Sequence, residues 1–565
     1  MSLAQEYKRN NINAIRMKKR FSLFLLAAMA AVMSGFACTN FIICKGASAD
    51  GSVMVSYSAD SYGMFGYLAH FPAGVHPAGT MRDVYEWDTN KYLGQIPEAP
   101  VTYNVVGNMN EWQLTIGETT NGGREECWEG EGVIDYGSLI YITLQRARTA
   151  REAVTIMGNL VKEYGYVSEG ETFSIADPNE AWIMEMIGKG KDEKGAVWVA
   201  LRLPDDVICA HANQARVRQF PLNDPENCLY AEDVITFARS KGWFNGKDEE
   251  FSFADVYNPL TFDGLRFCDA RVWSFFNLYA DADMSKWLPS AKGDVKAEPI
   301  PLYFKPKHKL SVQDVEAAMR DHYEDTDLDM RNDLGAGAWS MPYRLRPLTY
   351  KVDDKDYFNE RTISTFQTGF TFVSQMRSWM PREIGGVLWF ATDDANTAVY
   401  TPVYCCSTEA PFCYSNKAAD AVTFSFESAF WMFNWVSNMV YPRYSMMIDD
   451  LKKVQTSLEE GYFGKQAEVE AEAEAIFKAS PASAVAYLTD YSAAAADQAM
   501  KSWMALAQKL IVKYNDCVIK PENEDGTFKR TDTGIGERVI TPGYPEEFNR
   551  RVVKATGKRY LVPKK

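Results

Sequence analysis

Residues 38–61 read CTNFIICKGASADGSVMVSYSADS, and the rest of the fold is organised around this stretch. Residues 38–44 are apolar and rich in strand-forming types. Ala49, Asp50 and Gly51 carry a turn signal, and residues 53–57 form a second strand-prone run. The pattern predicts a β-hairpin with Cys38 at its free end. Asp60 follows the return strand, so the hairpin turns it back toward Cys38.

Upstream, residues 17–37 read MKKRFSLFLLAAMAAVMSGFA. Lys18, Lys19 and Arg20 form a basic start, and residues 21–33 form an apolar run too short to span a bilayer. Gly35 and Ala37 stand at −3 and −1 of a small-x-small cleavage site, and Cys38 follows it. Residues 1–37 therefore read as a signal peptide with an upstream extension ahead of Met17. The expected product is exported, periplasmic or extracellular, and begins at Cys38. A lipoprotein would acylate the same cysteine, although the bulky Phe36 at −2 fits that processing poorly. No other apolar run is long enough for a membrane span.

The chain has 565 residues, 46% hydrophobic and 24% charged, enough for a sizeable core. Its net charge of −15 argues against nucleic acid or an anionic membrane as the main partner. Ten cysteines accompany only five histidines: His70, His76, His211, His308 and His322. The sequence contains no CxxC pair and no HExxH, and no GxSxG elbow precedes a histidine, so neither a zinc site nor a Ser-His-Asp triad is indicated. No cofactor is expected.

Further along, residues 138–165 carry apolar side chains at helical spacing. Residues 172–176, 181–187, 197–203 and 207–212 read as consecutive strands, punctuated by Pro178-Asn179 and Pro204-Asp205. Strand character returns at 385–390 and 398–401. Three helical stretches follow, over 446–462, 465–479 and 484–514. The expected class is α+β. A catalytic domain over 38–415 would carry a mainly helical extension over 416–565 packed on its core. No flexible linker separates the two, so a single integrated unit fits equally well.

A mature amino-terminal cysteine holds a thiol and an α-amine on one residue. That amine has a reference pKa of about 7.7–8.0, so a useful fraction is neutral near pH 7 and can take the thiol proton. No histidine is needed. The sequence resembles a family that works in this way. Cys38-Thr39 and the segment 45–52 (KGASADGS) are similar to the opening of the N-terminal-nucleophile cysteine dipeptidases, which include dipeptidase A and the secernins. Residues 107–111 (GNMNE), 116–120 (IGETT), 211–216 (HANQAR), 267–273 (FCDARVW) and 385–389 (GGVLW) match that family's segments in order. The resemblance runs from Cys38 to about Tyr404.

What the resemblance implies is an αββα sandwich that hydrolyses small peptide substrates, dipeptides, without a cofactor. Cys38 would be the nucleophile, and Asp60 would hold its α-amine. Asn213 and Asn110 would supply N–H donors to the oxyanion. Arg271 would position the site or hold a substrate carboxylate, and Glu111, like Glu118, would face the substrate amine. One departure stands out. The family pattern ARNEDS is replaced here by SYSADS over 56–61, so Tyr57 occupies the position of an arginine near the thiol. Two other readings stay open: an amidase for acyl-amino acids or bile-salt-like conjugates, and a catalytically inactive, lipid-anchored binding protein of the envelope. A homo-oligomer is also possible.

Overall fold

The computed structural model describes residues 38–564, so the expected signal segment over 1–37 lies outside them. The opening hairpin is formed by β1 (Thr39–Ile43) and β2 (Val53–Asp60), antiparallel, with Thr39 opposite Ser58. Its turn is tied by Asp50, whose carboxylate accepts from Ser48 Oγ at 2.8 Å, Ser52 Oγ at 2.6 Å and Ser52 N at 2.9 Å. Gly51 takes φ +88°, a conformation a side chain would strain.

Two large antiparallel sheets follow. One has eight strands and is built on β3 (Thr115–Thr120), β4 (Gly170–Ala176), β5 (Ala181–Gly188) and β6 (Ala196–Arg202). The short strand Cys228–Tyr230 extends it beyond β6, and Met109–Asn110, Val105–Val106 and His70–Phe71 extend it beyond β3. The other has seven strands, ordered Tyr303–Phe304, β7 (Ile208–His211), β1, β2, β8 (Thr368–Met376), β9 (Gly386–Thr392) and β10 (Thr401–Tyr404). The hairpin thus sits near the middle of the second sheet, where its strands are wholly buried.

Period-two alternation sorts the side chains between layers. Along β5, Ile183 and Ile187 join the core shared with β1 and β2, whereas Trp182, Met184 and Met186 pack in a separate cluster with the helices of residues 136–164. The sheets approach closely at Gly117. A Cβ there would stand 2.4 Å from Asn40 Oδ1 and 3.4 Å from Tyr57 Cβ. Asn40 Nδ2 donates across the gap to Glu118 O at 2.6 Å.

The helical pattern of 138–165 resolves into two helices, α1 (Tyr136–Leu144) and α2 (Ala150–Tyr164). The break follows from Asn110, whose Nδ2 donates to Leu144 O at 2.7 Å and Ala147 O at 2.8 Å, satisfying carbonyls that a continuing helix would use. Thr149 then caps α2. The strand expected over 398–401 is displaced too, because Asp394 O accepts the N–H groups of Thr397 and Ala398, a turn that delays β10 to Thr401.

After α3 (Ala270–Tyr279), the carboxy-terminal part contributes α4 (Ala429–Val440), α5 (Tyr444–Ala479) and α6 (Pro481–Tyr514). The sequence suggests two helices in place of α5, over 446–462 and 465–479, and the chain has Gly461 and Gly464 at that junction. Instead α5 runs unbroken for 36 residues. Packing overrides the glycine penalty of about 1 kcal/mol each. Tyr462, between the glycines, is buried and donates to Ala495 O of α6 at 2.9 Å. Arg377 holds Glu470 through two contacts of 2.8 and 2.6 Å. Removing one partner of such a buried pair costs about 3–5 kcal/mol. Glu470→Ala is therefore expected to lower stability by that amount in denaturant titrations, and an unchanged midpoint would show that α5 docks without the pair.

The seven-stranded sheet and α4–α6 share one apolar core that reaches from Phe41 to Leu510. Among the described residues, no helix is long and apolar enough to cross a membrane.

Candidate active site

Arg271 organises the site. It follows the π-helical turn Gly264–Asp269, and its side chain is wholly buried. Its Nη1 donates to Cys38 O and to Thr39 Oγ1 at 2.8 Å. Its Nη2 donates to Ala212 O at 3.2 Å and Asn213 Oδ1 at 2.9 Å, and Nε to Phe267 O at 2.9 Å. One planar guanidinium thereby fixes the head of β1 against the chain that leaves β7. All three nitrogens are committed within the protein, so these contacts give Arg271 a positioning role rather than that of a substrate-carboxylate ligand.

Asn213 does not lie on a strand, because β7 ends at His211. It takes φ +63°, a region that asparagine tolerates better than most residues, and donates Nδ2 to Thr120 O at 2.7 Å. His211 itself bridges the sheets. Its Nδ1 pairs with Thr119 Oγ1 at 2.8 Å and its Nε2 with Ser174 Oγ at 2.7 Å. Burial, with the nearby Arg216 charge, pushes the imidazole down to about 3. In the unfolded chain it titrates near 6.5. Between those values only the unfolded state binds the proton, so stability falls as pH drops below about 6.5, by up to about 1.4 kcal/mol per unit. His211→Gln is expected to flatten that segment of the profile in denaturation series at pH 7.5, 6 and 5. An unchanged slope would remove His211 from the acid sensitivity.

Cys38 Sγ lies 3.6 Å from Glu118 Oε1 and 3.8 Å from Tyr57 OH, and Tyr57 donates its hydroxyl to the same carboxylate oxygen. Burial drives the Cys38 thiol well up, and the Glu118 and Asp60 charges add to this, so the resting group is the thiol. The Asp60 main-chain N–H acts in the opposite sense on the sulfur. Burial first, then the Glu118 charge, likewise keep Tyr57 protonated and donating. Asp60 closes β2. Its Oδ2 receives Arg361 Nη2 at 2.5 Å and Ser58 Oγ at 3.0 Å, and its Oδ1 receives Thr368 Oγ1 at 2.6 Å.

Cys38, Tyr57, Asp60 and Arg271, all buried, and the half-buried Asn213 are thus brought together, while Asn110 and Glu111 are engaged elsewhere. Asn110 spends its amide hydrogens on the carbonyls after α1 and so has none for an oxyanion. Glu111 accepts from Asn104 N at 3.0 Å and pairs with Arg382 at 3.3 Å, which removes it from the expected encounter with a substrate amine. Two contributors escaped sequence reasoning. Arg361 reaches Asp60 from 301 residues away. Glu171 stands on β4 opposite Thr120, whose Oγ1 donates to it at 3.0 Å. No short signal singles them out, since the dipeptide Gly-Glu of 117–118 and 170–171 also occurs at 130–131 and 536–537.

Antiparallel sheets flanked by helices, with a buried polar site, are compatible with an α+β hydrolase. The chain belongs to Peptidase family C69, whose model matches residues 37–457. A "Probable dipeptidase" of Latilactobacillus sakei is 26% identical over 433 residues, covering 72% of this chain and 82% of that protein. One of Salmonella dublin is 26% identical over 392 residues, covering 65% and 81%. A "Probable dipeptidase B" of Streptococcus pyogenes serotype M1 is 22% identical over 533 residues, covering 89% of this chain and 97% of its own length, so its alignment includes the helical end. The protein is therefore a peptidase.

Proposed function

We propose that the protein is an exported dipeptidase in which Cys38, freed as the first residue of the mature chain, is the nucleophile of an αββα N-terminal-nucleophile site. The observation that carries this reading is the arrangement at the head of β1. Arg271 holds the Cys38 carbonyl, Asp60 lies close to the sulfur, and Asn213 shares the same clamp.

In this reading the α-amine supplies the base. The resting thiol is held protonated, so its proton must leave as attack occurs. The amine takes that proton, sulfur bonds to the peptide carbonyl carbon, and the carbonyl electrons move to oxygen. Asn213 gives one amide hydrogen to Thr120 O and turns the other to the oxyanion. Such a donor contributes about 3–4 kcal/mol. The α-ammonium then protonates the departing amine as the C–N bond breaks. Water, deprotonated by the same amine, cleaves the remaining thioester and releases the acid. Asp60 stabilises the ammonium form between these steps.

Residues 17–37 act as the export signal, and their removal creates the base. The test is intact-mass analysis of the exported protein with and without iodoacetamide, paired with a dipeptide screen. A chain beginning at an unmodified, labelled Cys38 that cleaves dipeptides is expected. Equal activity in a chain extended ahead of Cys38, or in one acylated on its α-amine, would overturn the mechanism.

A further inference from the structure

We propose that Glu118 and Glu171 form the subsite for the substrate's free α-ammonium group. The proposal rests on the dipeptidase reading and assigns it a specificity: peptides with an unblocked amino terminus, and not N-acyl amides or bile-salt-like conjugates.

Four oxygens belong to this carboxyl pair. Glu118 Oε1 receives Tyr57 OH and the Cys38 thiol, and Glu171 Oε1 receives Thr120 Oγ1. The remaining two, Glu118 Oε2 and Glu171 Oε2, are buried and, among the described residues, receive no donor from outside the pair. The residues are 2% and 1% exposed, so water does not solvate them. The two carboxyls also stand within hydrogen-bonding reach of each other. Register explains the meeting: Glu118 faces Phe173 and Thr120 faces Glu171 across β3 and β4, so the two glutamates lie diagonally on one side of the sheet.

Two adjacent buried carboxylates cannot both stay charged without a cation. Burial, with the charge of Glu118, raises Glu171 well above the carboxylate range, so the pair holds a proton between its carboxyls. An ammonium group supplies the same positive charge with three donors and can take that proton's place. The distances suit it. In an amino-terminal residue the nitrogen lies two bonds, about 2.5 Å, from the carbonyl carbon. At the moment of attack that carbon stands about 3–3.5 Å from sulfur. Glu118 Oε1 is 3.6 Å from the Cys38 Sγ, so the amine of a peptide under attack can reach the Glu118 carboxyl. Tyr57 fixes that carboxyl through the same Oε1 that faces the sulfur, which leaves Oε2 for the ammonium.

The experiment compares alanyl-alanine with N-acetyl-alanyl-alanine in the mature wild type, Glu171→Gln and Glu118→Gln. The wild type is expected to prefer the free amine. Each substitution should reduce that preference by about 30-fold or more, with the loss at Glu171→Gln falling mainly in KM. A preference unchanged in both folded variants, or equal losses on both substrates, would overturn the subsite while leaving the dipeptidase reading in place. Protection of wild-type Cys38 from iodoacetamide gives a readout that needs neither variants nor turnover. Alaninamide should protect it and N-acetylalaninamide should not, and equal protection would overturn the subsite. A wild type that cleaves neither dipeptide while alaninamide still protects Cys38 would sink the dipeptidase reading alone.

Discussion

Cys38→Ala is expected to abolish hydrolysis, lowering kcat by about 10⁴-fold or more, while the protein folds as before. The sulfur meets Tyr57 OH, Glu118 Oε1 and the Asp60 main-chain N–H, and the pairing of β1 with β2 does not run through any of these contacts. The hairpin is fixed by its ladder and by Arg271 on the Cys38 carbonyl, which alanine retains. Losing one buried sulfur should cost about 1 kcal/mol of stability. The comparison is made on protein whose amino terminus has been verified by mass, with turnover and denaturation measured on one preparation. Hydrolysis surviving in cleanly processed Cys38→Ala protein would remove Cys38 as nucleophile. A loss of folding would instead assign the thiol to the core.

The second large effect is expected at Arg271. Arg271→Lys keeps the positive charge and loses the planar fork that reaches Cys38 O, Thr39, Ala212 O and Asn213 together. A lysine cannot satisfy these separated acceptors at once, so Cys38 and Asn213 lose their common reference. Displacement of a reacting group by about 1 Å costs about 10²-fold in rate, and that is the expected fall in kcat. KM should move less, because the contacts bind protein and not substrate. A rise in KM with kcat intact would return Arg271 to the role of substrate ligand.

Sequence and structure meet most closely where pairing is local. The hairpin was legible because a turn signal separates two strand-prone runs, and Asp60 follows from it by counting. Glu171 was not legible, because its tie to Glu118 depends on the register of β3 and β4, which no short motif encodes. Arg361 escaped for the same reason at greater range. Asn110 shows the opposite failure. It sits within a motif matching the family, yet its amide serves the carbonyls after α1. The continuity of α5 was hidden as well, since the helical pattern parts between 462 and 465 until the burial of Tyr462 is known. Local propensity was outweighed by contacts with α6 and β8.

The two edges of the seven-stranded sheet are finished differently. At one end the last strand is only Tyr303–Phe304, too short to recruit another chain. At the other, β10 is covered by α6. Its Tyr404 N–H donates to Ser492 Oγ at 3.2 Å, and Thr408 N–H just beyond donates to Thr489 Oγ1 at 3.2 Å. Hydroxyls on a helix thus occupy the amides that a foreign strand would seek. Helix α6 thereby closes that edge to strand addition, a demand set by the open sheet itself and independent of any chemistry at Cys38.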